Sequence, residues 1–286
     1  MVNTKQDKAF LTFTYAVLAA VGIVAVVPLL YVVSVSLTPF AEVLKHGGYV
    51  LIPREFTFHA YRKLMETSGI PRSLVITVTI TLLGTAINLI LTTLVAYPLS
   101  RRSLPGRNVF LIMVVFTLLF SGGIIPTYLV VKATGLIDSL WALILPTAVS
   151  SFNVLLMKSF FEQLPEELFE SARIDGAKEF RILLRLAVPL SLPVMITVGL
   201  FYAVGHWNSF FAAIMYVTDR TLFPLQVVVR EILMLSQQPL ENAEDQVPTV
   251  TMQMAAVVFA SFPIIAVYPF LQKHFTKGML LGSIKG

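Results

Sequence analysis

Leu164–Pro193 reads LPEELFESARIDGAKEFRILLRLAVPLSLP, a long charged island between two strongly apolar segments. Pro165 suits the first turn of a helix, where its missing N–H costs nothing, and Glu166 and Glu167 suit the positive end of the helix dipole. Asp175-Gly176 breaks that run, because glycine turns the backbone at the least steric cost. A second helical run follows, predicted to put Phe180, Leu183, Leu184 and Ala187 on one face and Lys178, Arg181 and Arg185 elsewhere. Two short helices joined at a glycine and held at a membrane surface make a compact knob. A knob of this kind asks for a socket in another protein.

The rest of the chain supplies the membrane. Of 286 residues 56% are hydrophobic and 13% charged, and the mean hydropathy is +0.81. Soluble domains carry about 25% charged residues, so the balance is that of a membrane protein. Apolar spans without Asp, Glu, Lys or Arg are expected at about 9–37, 73–99, 108–131, 140–157, 190–217 and 251–271. Each is near or above the ~20 residues a bilayer requires. The first is far longer than the ~7–15-residue core of a signal peptide, so it is read as an uncleaved helix. Irregularity is expected at the outer end of the third (Ser121-Gly122-Gly123, Pro126) and a kink in the sixth at Pro263 or Pro269. Thr38–Arg72 reads as a mixed polar loop. Thr218–Val250 reads as a long loop with an amphipathic segment, Leu222–Leu235, and a polar tip, Gln237–Gln246.

Orientation follows from Lys and Arg. With the amino terminus inside, 13 of the 21 Lys and Arg lie on the cytoplasmic side, among them Arg101, Arg102 and Arg107 of a short loop. Most of the remainder sit in the two long loops, which count for less. Both termini and the charged island are therefore expected to be cytoplasmic. The basic residues form no patch with aromatics, which argues against nucleic acid.

Several chemistries are missing from the sequence. It has no GxxxxGK[ST] phosphate loop, no HExxH and no GxSxG, and it contains no cysteine. The four histidines, His46, His59, His206 and His274, are scattered, so no metal site and no catalytic residue is expected. Charge-free spans also weaken a proton- or ion-coupled transporter or selective channel, because coupling retains intramembrane charges. Energy must then enter from outside the bilayer. Neutral polar groups remain within the spans: Asn88, the threonines of the second span, Asn153, Tyr202, His206, Trp207 and Asn208. Asn88 and the threonines are read as bonds between helices. Asn153, Tyr202, His206, Trp207 and Asn208 are the candidate substrate path, suited to an uncharged or weakly charged polyhydroxylated solute, with helix bonding the other role open to them.

The charged island also carries a family resemblance. Glu170-Ser171-Ala172, three residues, Gly176, nine residues and Leu186-Ala187-Val188-Pro189 resembles the EAA loop of ABC-importer permeases, departing from it by small or aliphatic swaps at Ser171, Leu186 and Val188. Trp207–Leu233 (WNSFFAAIMYVTDRTLFPLQVVVREIL) and Lys277–Gly286 (KGMLLGSIKG) are similar to carbohydrate permeases of the maltose type, in particular the branch that handles oligosaccharides and polysaccharide fragments such as alginate- or pectin-derived sugars.

The resemblance implies an all-α fold, one transmembrane permease domain over 1–286 with six membrane helices and a cytoplasmic coupling helix in a loop at 161–189, the type I importer permease fold. It implies Glu170, Ser171, Ala172, Asp175, Gly176 and Pro189 as the residues coupled to an ATPase. It also implies a prokaryotic cytoplasmic membrane, a second homologous permease as partner, two ATP-binding subunits, an extracytoplasmic solute-binding protein and a sugar cargo. This chain itself would bind no cofactor, since ATP and magnesium belong to the ATPase. The Thr218–Val250 loop would reach the binding protein, or be a solvated connector. An ABC permease for another solute, such as peptides or osmolytes, is the alternative within the class. A stand-alone secondary transporter or channel is the alternative outside it, and a membrane enzyme is the least supported.

Overall fold

The computed structural model describes residues 5–67, 69–235 and 249–283, and every regular element among them is helical. In chain order these are α1 (Lys5–Ser36), α2 (Phe40–Lys45), α3 (His59–Thr67), α4 (Ile70–Ser100), α5 (Arg107–Leu119), α6 (Ile124–Ala133), α7 (Trp141–Ile144) and α8 (Ser151–Phe161). They continue with α9 (Glu166–Ile174), α10 (Glu179–Ile182), α11 (Val188–Leu190), α12 (Leu192–Trp207), α13 (Phe211–Tyr216), α14 (Leu225–Leu235) and α15 (Val250–Ser283). A π-helical turn, Leu183–Ala187, joins α10 to α11, and a 3-10 turn, Leu145–Thr147, follows α7.

Three helices among the described residues are each long and apolar enough to cross a bilayer: α1 over Asp7–Ser36, α4, and α15 over Val250–Val267. Three bent pairs bring the number to six when each pair counts as one span. These pairs fall within the spans expected at 108–131, 140–157 and 190–217, and the first breaks where irregularity is expected, at Ser121-Gly122-Gly123. The third span is α5 and α6 bent by 115°, broken over Phe120–Gly123, where Gly123 takes φ 86. The fourth is α7 with its 3-10 turn and α8, bent by 53°. The fifth turns by 84° at Ser191, and α12 ends at Trp207, so that Phe211–Tyr216 is a separate helix. Pro263 and Pro269 interrupt no helix, because α15 runs through both. The loop expected at Thr38–Arg72 contains α2 and α3. The polar tip Gln237–Gln246 lies outside the described residues.

Where one domain is expected, contacts group the chain into two compact units: Met1–Ile70 with Val228–Phe262, and Pro71–Val227 with Pro263–Gly286. In the first, Val35, Val43 and Val50 form a small core under Tyr31 and Met254. Tyr31 donates to the Gly48 carbonyl at 2.9 Å, and the Ser36 and Tyr61 hydroxyls meet at 2.7 Å. Helix α1 keeps Phe10, Val21, Val24 and Leu29 exposed, as an acyl-facing surface would.

The second unit holds the larger core. Ala96, Tyr97 and Leu99 of α4 pack with Val154, Met157 and Phe161 of α8, and with Val194, Val198 and Tyr202 of α12. The charged island joins this core through Phe169, which is wholly buried, and through Ile182, Leu183 and Ala187. The face expected for the second run is corrected here: Phe180 and Leu184 are 63% and 51% exposed. The π turn is the cause. Its i→i+5 spacing breaks the 3.6-residue period, so the buried stripe shifts to Ile182, Leu183 and Ala187.

The loop between α6 and α7 is tied down by one carboxylate. Asp138 has φ 57, a left-handed conformation that aspartate tolerates. Its carboxylate accepts the Thr218 hydroxyl at 2.7 Å, the Thr218 N–H, and the Asp219 N–H at 3.0 Å. The Thr218 hydroxyl, then the two backbone N–H groups, holds the carboxyl below the ordinary aspartate range. A depressed pKa stabilises the fold above the unfolded value, and that contribution is lost as pH falls through the folded one. Amide hydrogen exchange at Thr218 and Asp219 is therefore expected to keep constant protection from pH 7 to pH 5, and to lose it only below the usual aspartate pKa of about 3.9. Loss of protection between pH 7 and 5 would contradict this.

Candidate functional site

Two sites are built on the second unit. The first is the knob. Helix α9 starts after Pro165 and closes on a Schellman turn: the Gly176 N–H donates to the Arg173 carbonyl at 3.0 Å and the Ala177 N–H to the Ala172 carbonyl at 2.9 Å. This geometry requires a left-handed residue after the cap, and Gly176 has φ 77. Glu170, Ser171, Asp175 and Gly176 are exposed, and Ala172 is half-buried against the core. The Ser171 hydroxyl bonds back to the Leu168 carbonyl at 3.1 Å. Pro189 is exposed in the first turn of α11. The knob thus presents Glu170 outward while Phe169 anchors it inward.

Charges fix the knob to α4. Arg101, 8% exposed, lays its guanidinium 3.5 Å from the Phe169 ring centroid and 4.7 Å from that of Tyr97. Its Nη1 meets Glu166 Oε2 at 3.2 Å. Arg173 bridges Glu166 at 3.3 Å and Glu179 at 2.9 Å, and the Tyr97 hydroxyl donates to Glu179 Oε2 at 2.9 Å. Partial burial pushes the Glu179 carboxyl up, but the bonds from Arg173 and Tyr97 outweigh it and hold the group below its ordinary value. The Arg173 pairs are solvent-exposed, and such pairs contribute about 0–1 kcal/mol. The Arg101 pair is lopsided: the Arg101 side chain is 9% exposed but that of Glu166 is 57% exposed, so solvent screens the carboxylate while the guanidinium stays buried. Neither Tyr97 nor Arg101 stood out in the sequence.

The second site is a cavity of about 540 Å³ bordered by α4, the broken fourth span and α12. Four of the five candidate path residues, Asn153, Tyr202, His206 and Asn208, line it, and Trp207 does not. Asn208 spends its amide capping α12, donating to the Val204 carbonyl at 2.9 Å. Asn88 Nδ2 reaches His206 Nε2 at 2.9 Å and the Thr147 carbonyl at 3.3 Å. With the Asn88 amide N–H as donor, Nε2 of His206 is the accepting ring nitrogen. The Thr92 and Tyr202 hydroxyls meet at 2.6 Å, and Tyr202 Oη also takes the Ser150 N–H at 3.0 Å.

The break at 145–150 explains the contacts to the Thr147 carbonyl and the Ser150 N–H. Non-helical backbone at membrane depth is tolerated where it is buried in protein or lines a cavity. Here Asn88 satisfies a freed carbonyl and Tyr202 a freed N–H. Gly84 completes the arrangement: a Cβ there would sit 2.5 Å from His206 Nε2. Gly84, Asn88 and Thr92 lie at i, i+4 and i+8, one stripe of α4 turned to α12. That spacing was visible in the sequence and is the signal that could have found Gly84.

A family model described as the binding-protein-dependent transport system inner membrane component matches residues 1–281. The chain belongs to that family. It is thus the permease subunit of an ABC importer and a transport component in place of an enzyme. Among curated proteins it is similar to Protein LplC of Bacillus subtilis (strain 168), 46% identical over 100% of this chain and 98% of the relative. It is similar also to the polygalacturonan/rhamnogalacturonan transport system permease protein YtcP of the same organism, 43% identical over 98% of this chain and 100% of the relative. Among solved structures, a chain from a crystal structure of a bacterial ABC transporter involved in the import of the acidic polysaccharide alginate superposes with a TM-score of 0.88. The identity is 29%, and the match covers 96% of this permease and 99% of that chain.

Proposed function

We propose that this permease carries an oligosaccharide or polysaccharide fragment across a prokaryotic cytoplasmic membrane by alternating access. A homologous permease pairs with it, one of two ATP-binding subunits docks on this chain's knob from the cytoplasm and the other beneath the partner permease, and an extracytoplasmic binding protein delivers the sugar. Both termini face the cytoplasm. The cavity carries this reading. Asn88, Ser150, Asn153, Tyr202 and His206 offer neutral hydrogen-bonding groups, and Phe152 and Phe201, with ring centroids 6.2 Å apart, offer apolar faces. That combination suits hydroxyls and the flat faces of sugar rings. The polygalacturonan/rhamnogalacturonan and alginate transporters among its relatives point the same way. Closure of the ATPase pair pulls Glu170 and its neighbours, and the bent third, fourth and fifth spans tilt.

The test is ATP hydrolysis by the purified complex in liposomes with its binding protein. A panel of pectin-derived, alginate-derived and neutral oligosaccharides, dipeptides and glycine betaine would be offered. Stimulation by an oligosaccharide several-fold above the rest is expected. Strongest stimulation by a dipeptide or betaine would move the permease to another solute.

A further inference from the structure

Helix α4 touches both sites. Near its C-terminal end Tyr97 holds Glu179 of the knob, and Arg101, the residue just after that end, holds Glu166. Toward its middle Thr92 and Asn88 hold Tyr202 and His206 at the cavity. Residues 88 to 100 span about 18 Å at 1.5 Å per residue; α4 runs through them with Pro98 inside it, and Arg101 is the residue that follows its last.

The guanidinium of Arg101 is only partly used. Nη1 meets Glu166, while Nε and Nη2 are buried without a hydrogen-bond partner among the described residues. Those two atoms form the edge of the fork that takes a carboxylate in two parallel bonds. Idle buried donors are costly, and each demands an explanation. A second cavity, of about 400 Å³, lies beside this residue, and Arg101, Arg173 and Glu179 share its wall. Glu179 is held there by Tyr97 and by a solvent-exposed pair with Arg173, a weak tether.

We propose that Arg101 is the joint through which the knob moves α4: it holds Glu166 in this conformation and takes Glu179 on its Nε–Nη2 edge in the other. Arg101 is a positioning residue, since it acts on the cavity through α4. Exchange of one carboxylate partner for another gives the two discrete arrangements that coupling between distant sites requires. The cavity beside Arg101 supplies the room for Glu179 to cross. Arg101 is tied to the end of α4 by its own N–H, which donates to the Pro98 carbonyl at 3.0 Å, so its displacement passes into α4 and on to Asn88 and Thr92, and so to His206 and Tyr202.

This rests on the reading of the permease as ATP-driven, and the test separates the two. The chain has no cysteine, so Phe211→Cys places a single reactive thiol in this subunit at the rim of the larger cavity. Its labelling by a maleimide is followed by mass spectrometry of this chain within the purified complex, nucleotide-free and trapped with ATP and vanadate. The ratio of the two rates is expected to be about tenfold, within the usual range of allosteric coupling. Arg101→Met should bring the ratio close to one with the ATPase still bound, and Arg101→Lys should restore part of it. Glu179→Gln, at an exposed residue, should lower the ratio, and the double variant Arg101→Met/Glu179→Gln should be no worse than Arg101→Met alone. A full ratio in Arg101→Met or in Glu179→Gln, or additive losses in the double variant, would overturn the joint. Should Arg101→Met fail to assemble, Glu179→Gln decides. Failure of the parent chain to retain an ATPase at all would instead overturn the ATP-driven reading.

Discussion

Gly176→Val is expected to abolish sugar transport while leaving membrane insertion and permease abundance intact. Gly176 sits at φ 77, and a Cβ added there meets nothing within 4 Å. The penalty is therefore one of backbone conformation and not of collision. Left-handed backbone costs an ordinary L-residue roughly 1–2 kcal/mol and a β-branched one more. That is comparable with the ~1–3 kcal/mol that the two bonds of the Schellman turn hold, so the turn would be strained or lost and the join between α9 and α10 would change. Gly176→Asn, which tolerates the left-handed region, should retain most transport, and Gly176→Ala should fall between. Transport and ATP hydrolysis measured together on reconstituted complexes check the series. Valine is expected to lose more than about tenfold in transport per ATP. Equal transport for glycine, asparagine and valine would show that the turn does not matter.

The second large effect is expected at Gly84. A Cβ at 2.5 Å from Nε2 and 2.8 Å from Cε1 of His206 lies far inside ordinary contact of about 3.5–4.0 Å. The ring must move, and it is 5% exposed and bonded to Asn88, so it has little room. Overpacking costs about 1–3 kcal/mol and the lost hydrogen bond about 0.5–1.5. Gly84→Ala recovers about 1 kcal/mol in helix propensity, so the losses win by a modest margin. Gly84→Val forfeits much of that gain and adds two methyl groups to the collision. Valine should lower thermal stability by several degrees and nearly abolish sugar-stimulated ATP hydrolysis. His206→Ser in the Gly84→Val background should restore stability by removing the ring, but leave stimulation impaired. Full stimulation in Gly84→Val would mean that the His206–Asn88 contact has no part in transport.

How much of this could be read in the chain differs from residue to residue. Gly176 was legible, because a glycine between two helical runs has a specific backbone job. The knob's inward anchor was not, since Phe169 and Phe180 look alike in the sequence and only the packing of α9 against the core buries the first and not the second. Arg101 and Arg102 are adjacent and chemically identical. Only the turn that follows α4 sends Arg101 between Tyr97 and Phe169 and leaves Arg102 exposed. The spans were recognisable by length and apolarity, and the break in the third by Ser121-Gly122-Gly123, yet the bends of the fourth and fifth were not. A break at 145–150 is viable because Asn88 and Tyr202, distant in sequence, satisfy the freed backbone groups. His206 and Trp207 were read together as path residues, but helix geometry sends adjacent side chains about 100° apart, and His206 alone lines the cavity.

The central claim is that the 164–193 knob is the surface on which an ATPase docks. It is tested most directly by photo-cross-linking from a single cysteine, which the cysteine-free chain permits without further changes. Glu170→Cys, carrying a short benzophenone label, would be compared with Asp138→Cys in the purified complex. The account predicts that position 170 captures the ATP-binding subunit and position 138 does not. Capture from both positions alike, or from 138 and not from 170 while the ATPase is present, would contradict it.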